Sequence, residues 1–224
     1  MALLNKAIIA SAIFSLTAAC GGGSGKSAQD LFASDARSTD IQGNRINALP
    51  GTRFSAMPTE GSAVFNGYAA LAIDPVAATN NDDIIVLGDL RLTANFDAAT
   101  ITGDVTDMRG ATDFESVDNY TLVDVDGTIE IGGRQSLIGV DPDDNLQDRP
   151  NQWFADYQGD LEIEDNSYAV GGTLLGDFRG TRLTPQSGQS PIKALIGTDE
   201  DGYAAINGNI EEVPVTFGVF GANR

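Results

Sequence analysis

From Gly61 to the last residues of the chain, apolar and polar positions alternate with a period of two. Ala63, Phe65, Gly67, Ala69, Leu71 and Ile73 share one face of a first strand. Ile84, Val86, Gly88, Leu90, Leu92 and Ala94 share one face of a second, against Asp89, Arg91 and Thr93. Ile101, Gly103 and Val105 mark a third, and Ile129 and Ile131 a fourth. Trp153, Ala155, Tyr157, Gly159, Leu161 and Ile163 alternate with Asp156, Gln158, Asp160 and Glu162 in a fifth. A sixth runs through Tyr168, Val170, Gly172, Leu174, Gly176 and Phe178, a seventh through Ala204, Ile206, Gly208 and Ile210, and an eighth through Val213, Val215, Phe217 and Val219. Strand-length alternation broken by polar turns such as Asp97–Ala99 and Asp165–Asn166 is the mark of antiparallel strands buried on one side. No stretch shows a helical period. The pattern predicts an all-β protein, an eight-stranded antiparallel up-and-down β-barrel.

A membrane-spanning barrel would turn its apolar side outward, between girdles of aromatic residues. Aromatic residues make up only 7% of the chain, and the polar faces repeatedly carry Asp, Glu and Arg. The apolar face is therefore read as the core, with Phe65, Trp153, Tyr157, Phe178 and Phe217 as its bulky members. Eight strands enclose little more than their own side chains. Glycines on that face suit strong coiling and close backbone approach.

Before Gly61 the pattern differs. Met1–Ala19 carries one charge, Lys6, ahead of the apolar run Ala7–Thr17. Such a run has the length of a secretory signal and is too short to span a bilayer. Leu16-Thr17-Ala18-Ala19 leads to the single cysteine, Cys20, and then to a Gly/Ser stretch. This resembles a bacterial lipoprotein processing site, in which Cys20 becomes the first residue and is acylated. Thr17 stands where such sites usually hold an aliphatic residue, with Leu16 one place further back. From Gly21 to about Glu60 the chain is rich in Gly, Ser, Asp, Asn and Pro and shows no apolar period. That composition predicts a disordered tether, with at most a helical turn at Asp30–Ala36. As a coil of roughly 40 residues it would span about 35 Å. The expected organisation is a lipoprotein signal peptide at 1–19, a flexible lipidated tether at 20–58 and a barrel at 59–224.

Composition narrows the chemistry. The chain has 32 acidic and 13 basic residues, for a formal net charge of −19. This disfavours nucleic acid and anionic lipid headgroups as partners, because both are held by clustered Lys and Arg. With no histidine, Ser–His–Asp and Cys–His catalysis and His-ligated zinc or haem are excluded. One cysteine makes no internal disulfide. There is no nucleophile elbow and no phosphate-binding loop. No catalytic residue, metal or cofactor is expected, and the chain is not read as an enzyme.

Val140–Asp148 gathers Asp141, Asp143, Asp144 and Asp148. Asp141, Asp143 and Asn145 suit the first three positions of an EF-hand loop. Leu146 replaces the required glycine, however, and Gln152 the closing glutamate, so a solvated acidic loop is the better reading. Phe154 stands alone as an aromatic on the charged face of the fifth strand, just after Arg149. Phe154, Arg149, Asp141 and Asp143 are therefore the candidate partner-binding residues, and Cys20 the candidate lipidation site.

Four segments resemble the barrel of the transferrin-binding protein B family. Leu92–Gly103 is similar to its hairpin of Asn/Asp-Phe followed by Thr-hydrophobe-Thr-Gly. Gly171–Gly180 resembles its Gly-x-Phe-aromatic-Gly strand, with Arg179 in the aromatic place. Gly218–Arg224 is similar to its terminal Val-Phe-Gly-Ala-Lys-Arg, with Asn223 for the lysine. Met57–Gly67 looks like the opening strand of its small members. The resemblance covers about 57–224 and implies a barrel displayed on an outer-membrane lipoprotein, on the cell surface or the periplasmic side. It further implies a recognition module serving iron or haem acquisition, with a protein partner left unnamed. The alternative is a lipocalin-like carrier with a small hydrophobic molecule inside the barrel.

Overall fold

Ten strands and one helix make up the computed structural model, which describes residues 27–74, 83–116, 119–139, 149–180, 192–199, 201–208 and 212–223. The strands are β1 (Ser62–Ile73), β2 (Ile84–Asn95), β3 (Thr100–Ser116), β4 (Asn119–Val123), β5 (Val125–Gly139), β6 (Arg149–Ile163), β7 (Asn166–Gly180), β8 (Ile192–Asp199), β9 (Tyr203–Ile206) and β10 (Glu212–Asn223). Neighbours pair antiparallel in the order β1-β2-β3-β5-β6-β7-β8-β10, and β10 returns to β1 along a register from Phe65–Asn223 to Ile73–Val215. These eight strands close the antiparallel barrel that the alternation predicts. β4 extends the wall beside β3 at the upper rim, and β9 bridges β7 and β10 at the same end. The lower end holds the β2–β3 turn, the start of β1 and the end of β10.

One strand differs from the expected assignment. The seventh wall strand is β8, Ile192–Asp199, whereas the segment expected there supplies only the short β9. Ala194 and Leu195 are both buried, so β8 breaks the period of two that identifies its neighbours. Asn207 and Gly208 form a turn, with positive φ at both, which ends β9 early.

The larger departure lies before the barrel. Over 28–47 the expected flexible tether is a helix, α1 (Ala28–Asn47). Ser27 and Asp30 cap it reciprocally: the Ser27 hydroxyl accepts the Asp30 amide and the Asp30 carboxylate accepts the Ser27 amide. This satisfies donors that a helix start leaves open. Its buried stripe is Phe32, Ala36, Thr39, Gly43 and Ile46, spaced by four and three. The stripe lies on the outside of the barrel across β1, β2, β8 and β10. Phe32 is fully buried with Leu87 and Ala111, and its ring centroid lies 5.0 Å from that of Tyr120. Asp35 pairs with Arg109 at 2.5 Å.

Further along, the Gln42 side chain donates to the backbone carbonyl of Phe220 at 3.0 Å. A Cβ on Gly67 would collide with that carbonyl and with the Gln42 amide, so glycine is what admits the helix to the β1–β10 seam. The chain then bonds to the end of β7 through Gly180 N–H to Pro50 O and Thr52 N–H to Phe178 O, both 2.9 Å. Met57 packs against the barrel core from below.

Candidate functional site

The inward positions of the alternating strands make a filled interior. Phe65, Trp153, Tyr157, Phe178 and Phe217 are all buried, as the alternation predicts. At the lower end the Phe178 ring lies between Phe65, at 6.0 Å, and Phe96, at 5.9 Å. Above them the Trp153 indole occupies a slot walled by two glycines. A Cβ on Gly176 would approach the indole to 2.4 Å and one on Gly197 to 2.5 Å. The Trp153 Nε1–H is buried with no hydrogen-bond partner among the described residues, an arrangement that costs stability unless something accepts it.

A polar group closes the upper end. The Tyr157 hydroxyl donates to Asp199 Oδ2 at 2.8 Å, and the Phe217 amide donates to Asp199 Oδ1 at 2.9 Å. Burial pushes the Asp199 carboxyl above its usual range, although both of those bonds work the other way. Burial beside the Asp199 charge also drives the Tyr157 phenol far upward, so it stays protonated. Asp201, at the rim, accepts the Thr173 amide. Tyr157 also packs against Phe217, the rings tilted by 51° with centroids 4.7 Å apart. A protonated phenol bound to a carboxylate holds strands β6, β8 and β10 together. It presents no nucleophile to solvent.

Of the surface residues singled out from sequence, Phe154 and the backbone of Arg149 are among those described. Phe154, expected on the exposed face, is only 7% exposed. It points outward, but its cross-strand neighbours are Leu137 on β5 and Leu175 on β7. Two leucines in register with it turn this part of the wall apolar, and the η-turn at Phe54–Ala56 packs on β6. Arg149 begins β6 opposite Gly139. Asp141, Asp143 and Cys20 lie outside the described residues, as does the rest of the acidic loop.

What sequence reasoning missed is how the outer charges sort. On β5 and β6 the exposed carboxylates face one another in register: Asp126 is opposite Glu162, and Asp160 is opposite Thr128 with Glu130 two residues on. On α1 the exposed positions opposite the buried stripe carry Arg37, Ile41 and Arg45. The helix signal was present in the Ser27–Asp30 capping box, but its stripe uses Ala, Thr and Gly, which register weakly as apolar. An open cleft of about 470 Å³ lies at the lower end, lined by Pro58, Glu60–Val64, Asn66, Phe96 and Asn223. Among the described residues there is no group of three or more acidic or cysteine side chains placed to hold a metal ion. No family model, no curated protein and no solved structure matches the chain.

Proposed function

We propose that the chain is a lipid-anchored recognition module of the outer membrane, with acylation at Cys20 and the barrel as a rigid body that offers its outer surface and rim to a protein partner. The observation that supports this most directly is the filled interior. The Trp153 slot, the Phe65–Phe178–Phe96 contacts and the Tyr157–Asp199 bond occupy the space a carrier would give to its ligand. A barrel that holds its own side chains presents function on its surface. The resemblance of 57–224 to transferrin-binding protein B barrels supports iron or haem acquisition as the setting, and the side of the membrane follows the same resemblance.

The carrier reading retains one observation in its favour, the unpaired Trp153 Nε1–H, which an acceptor on a bound molecule would satisfy. Native mass spectrometry and organic extraction of the purified chain separate the two. The recognition module yields no stoichiometric small molecule, and haem leaves the Trp153 fluorescence unchanged. One bound molecule per chain, lost in Trp153→Ala, would overturn the proposal in favour of the carrier.

A further inference from the structure

The chain holds two Asn–Gly pairs, Asn66–Gly67 and Asn207–Gly208. Asparagine is a labile residue, and most so before glycine, where no side chain hinders the next amide nitrogen from reaching the carboxamide carbon. Closing that ring rotates the peptide that joins the two residues. What the rotation breaks decides whether a pair reacts in the folded chain.

At Asn66–Gly67 it breaks the barrel wall. Gly67 lies opposite Leu90 of β2 and Gly221 of β10, so β1 is paired along both edges there. The Phe220 carbonyl and the Gln42 amide fill the space where a Gly67 side chain would stand. A central strand of this kind opens only at a free energy close to that of global unfolding. Asn207–Gly208 sits differently. Both residues are exposed and both have positive φ, 51° and 70°, in the turn that ends β9, a backbone geometry that suits Asn-Gly. A Cβ on Gly208 would meet nothing within 4 Å, and the Gly208 N–H has no hydrogen-bond partner among the described residues. The pair is held by the asparagine instead. Asn207 Oδ1 accepts the Ser167 amide and Nδ2 donates to Asn166 Oδ1, each at 2.9 Å, while the Asn207 amide donates to Ser167 O at 2.7 Å. These bonds tie the end of β9 to the β6–β7 turn.

We propose that Asn207 is a site of spontaneous deamidation in the folded chain, paced by its side-chain bonds to Asn166 and Ser167, and that Asn66 is spared by the barrel wall. The Gly208 amide nitrogen loses its proton to water and bonds to Asn207 Cγ. The Cγ–Nδ2 bond breaks, and the leaving nitrogen takes up a proton and departs as ammonia. Water then opens the cyclic imide at either carbonyl, leaving aspartate or, with the backbone rerouted through the side chain, isoaspartate. The product has lost the donor to Asn166 Oδ1 and places a new carboxylate beside the exposed Glu164 and Asp165.

The test incubates the purified chain in mildly alkaline buffer, folded and in concentrated urea, and maps the peptides by tandem mass spectrometry over time. The folded chain should exchange NH for O at Asn207 while Asn66 keeps its amide. In urea both should convert. A protein isoaspartate methyltransferase should transfer methyl groups to the aged folded chain and not to the fresh one, with the label at position 207. Asn166→Ala removes the acceptor of the Nδ2 bond, so it should speed conversion of the folded chain at Asn207, leave the rate in urea unchanged and leave Asn66 intact. A folded chain that keeps Asn207 after the urea sample has fully converted would overturn the proposal. So would conversion of Asn66 and Asn207 at one rate in the folded chain, which would route the reaction through global unfolding. An Asn166→Ala chain that converts no faster than the parent would overturn the pacing assigned to the side-chain bonds.

Discussion

The Trp153 slot makes a prediction with a built-in control. The three atoms nearest a Cβ on Gly197 would all belong to side chains: the six-membered ring of the Trp153 indole at 2.5 and 2.6 Å and a Val219 methyl at 3.1 Å. A Cβ on Gly176 would meet the same indole at 2.4 Å but also the backbone oxygen of Ile196 at 2.3 Å. Overpacking a filled core costs about 1–3 kcal/mol, and for a chain of this size each kcal/mol lowers Tm by roughly 2–4 °C. Gly197→Ala should therefore be clearly destabilised in the wild-type background. Trp153→Phe shortens the side chain by the far edge of the indole and also removes the orphan Nε1–H of its five-membered ring, so in that background Gly197→Ala should cost under about 0.5 kcal/mol. The coupling energy of the cycle should reach 1–2 kcal/mol in the stabilising direction. Gly176→Ala should remain destabilising in both backgrounds, because the backbone of β8 has nowhere to go. Urea denaturation of the four chains in each cycle, followed by circular dichroism, gives the numbers. If Gly197→Ala costs the same with either aromatic, or if Trp153→Phe rescues both alanines equally, the indole does not lie between these glycines and the packed-interior argument fails.

Three further outcomes follow from other parts of the structure. Asp199 and Asp89 are both pushed above the usual carboxylate value by burial, Asp89 with help from Asp35 and Asp107. The folded chain therefore binds more protons than the unfolded one between the unfolded pKa of about 3.9 and each folded value. Their stabilising protonation is complete below about 3.9 and is lost as pH rises through the folded values, so Tm should climb on mild acidification. Asp199→Asn should flatten that climb, and an unaltered slope would exclude Asp199 as its source. Phe32→Ala removes the largest side chain of the helix stripe and should cost about 3–5 kcal/mol. Limited proteolysis should then cut within 28–47 before the barrel; wild-type protection of that segment would show that the helix does not depend on this contact. Cys20→Ser should abolish acylation and move the chain out of the detergent phase; unchanged partitioning would disprove the anchor.

The barrel was legible because seven of its eight wall strands alternate over at least part of their length, and a period of two on a one-sided sheet leaves few other architectures. The eighth, β8, was hidden because both faces are covered beside the irregularity in the β7–β8 register at Arg179–Gly180: Leu195, opposite Phe178, is buried inside, and Ala194, opposite Arg179, is buried outside. The helix escaped for a different reason. Its contact surface is a groove against backbone and small side chains, filled by Ala36, Thr39 and Gly43 and closed by a Gln42 bond to a main-chain carbonyl. Between Phe32 and Ile46 the contact is made by close approach rather than hydrophobic mass, and a periodicity of large apolar residues is blind to that.

The outer surface was harder to read because charge and position separate only when the wall closes. Alternation along β6 assigns Asp160 and Glu162 to the outside, and alternation along β5 does the same for Asp126 and Glu130. Neither says that these strands lie diametrically across the barrel from the one that carries the helix. That relation follows from the β1–β10 pairing, whose partners lie more than 140 residues apart in the chain. Phe154 illustrates the same point at one residue: its side of the strand was correctly assigned, but Leu137 and Leu175, brought beside it by register, change an exposed aromatic into a covered one. A summed charge of −19 treats the surface as uniform. Closure gathers Asp126, Glu130, Asp160 and Glu162 on the β5–β6 side of the wall, a concentration that the sum does not show.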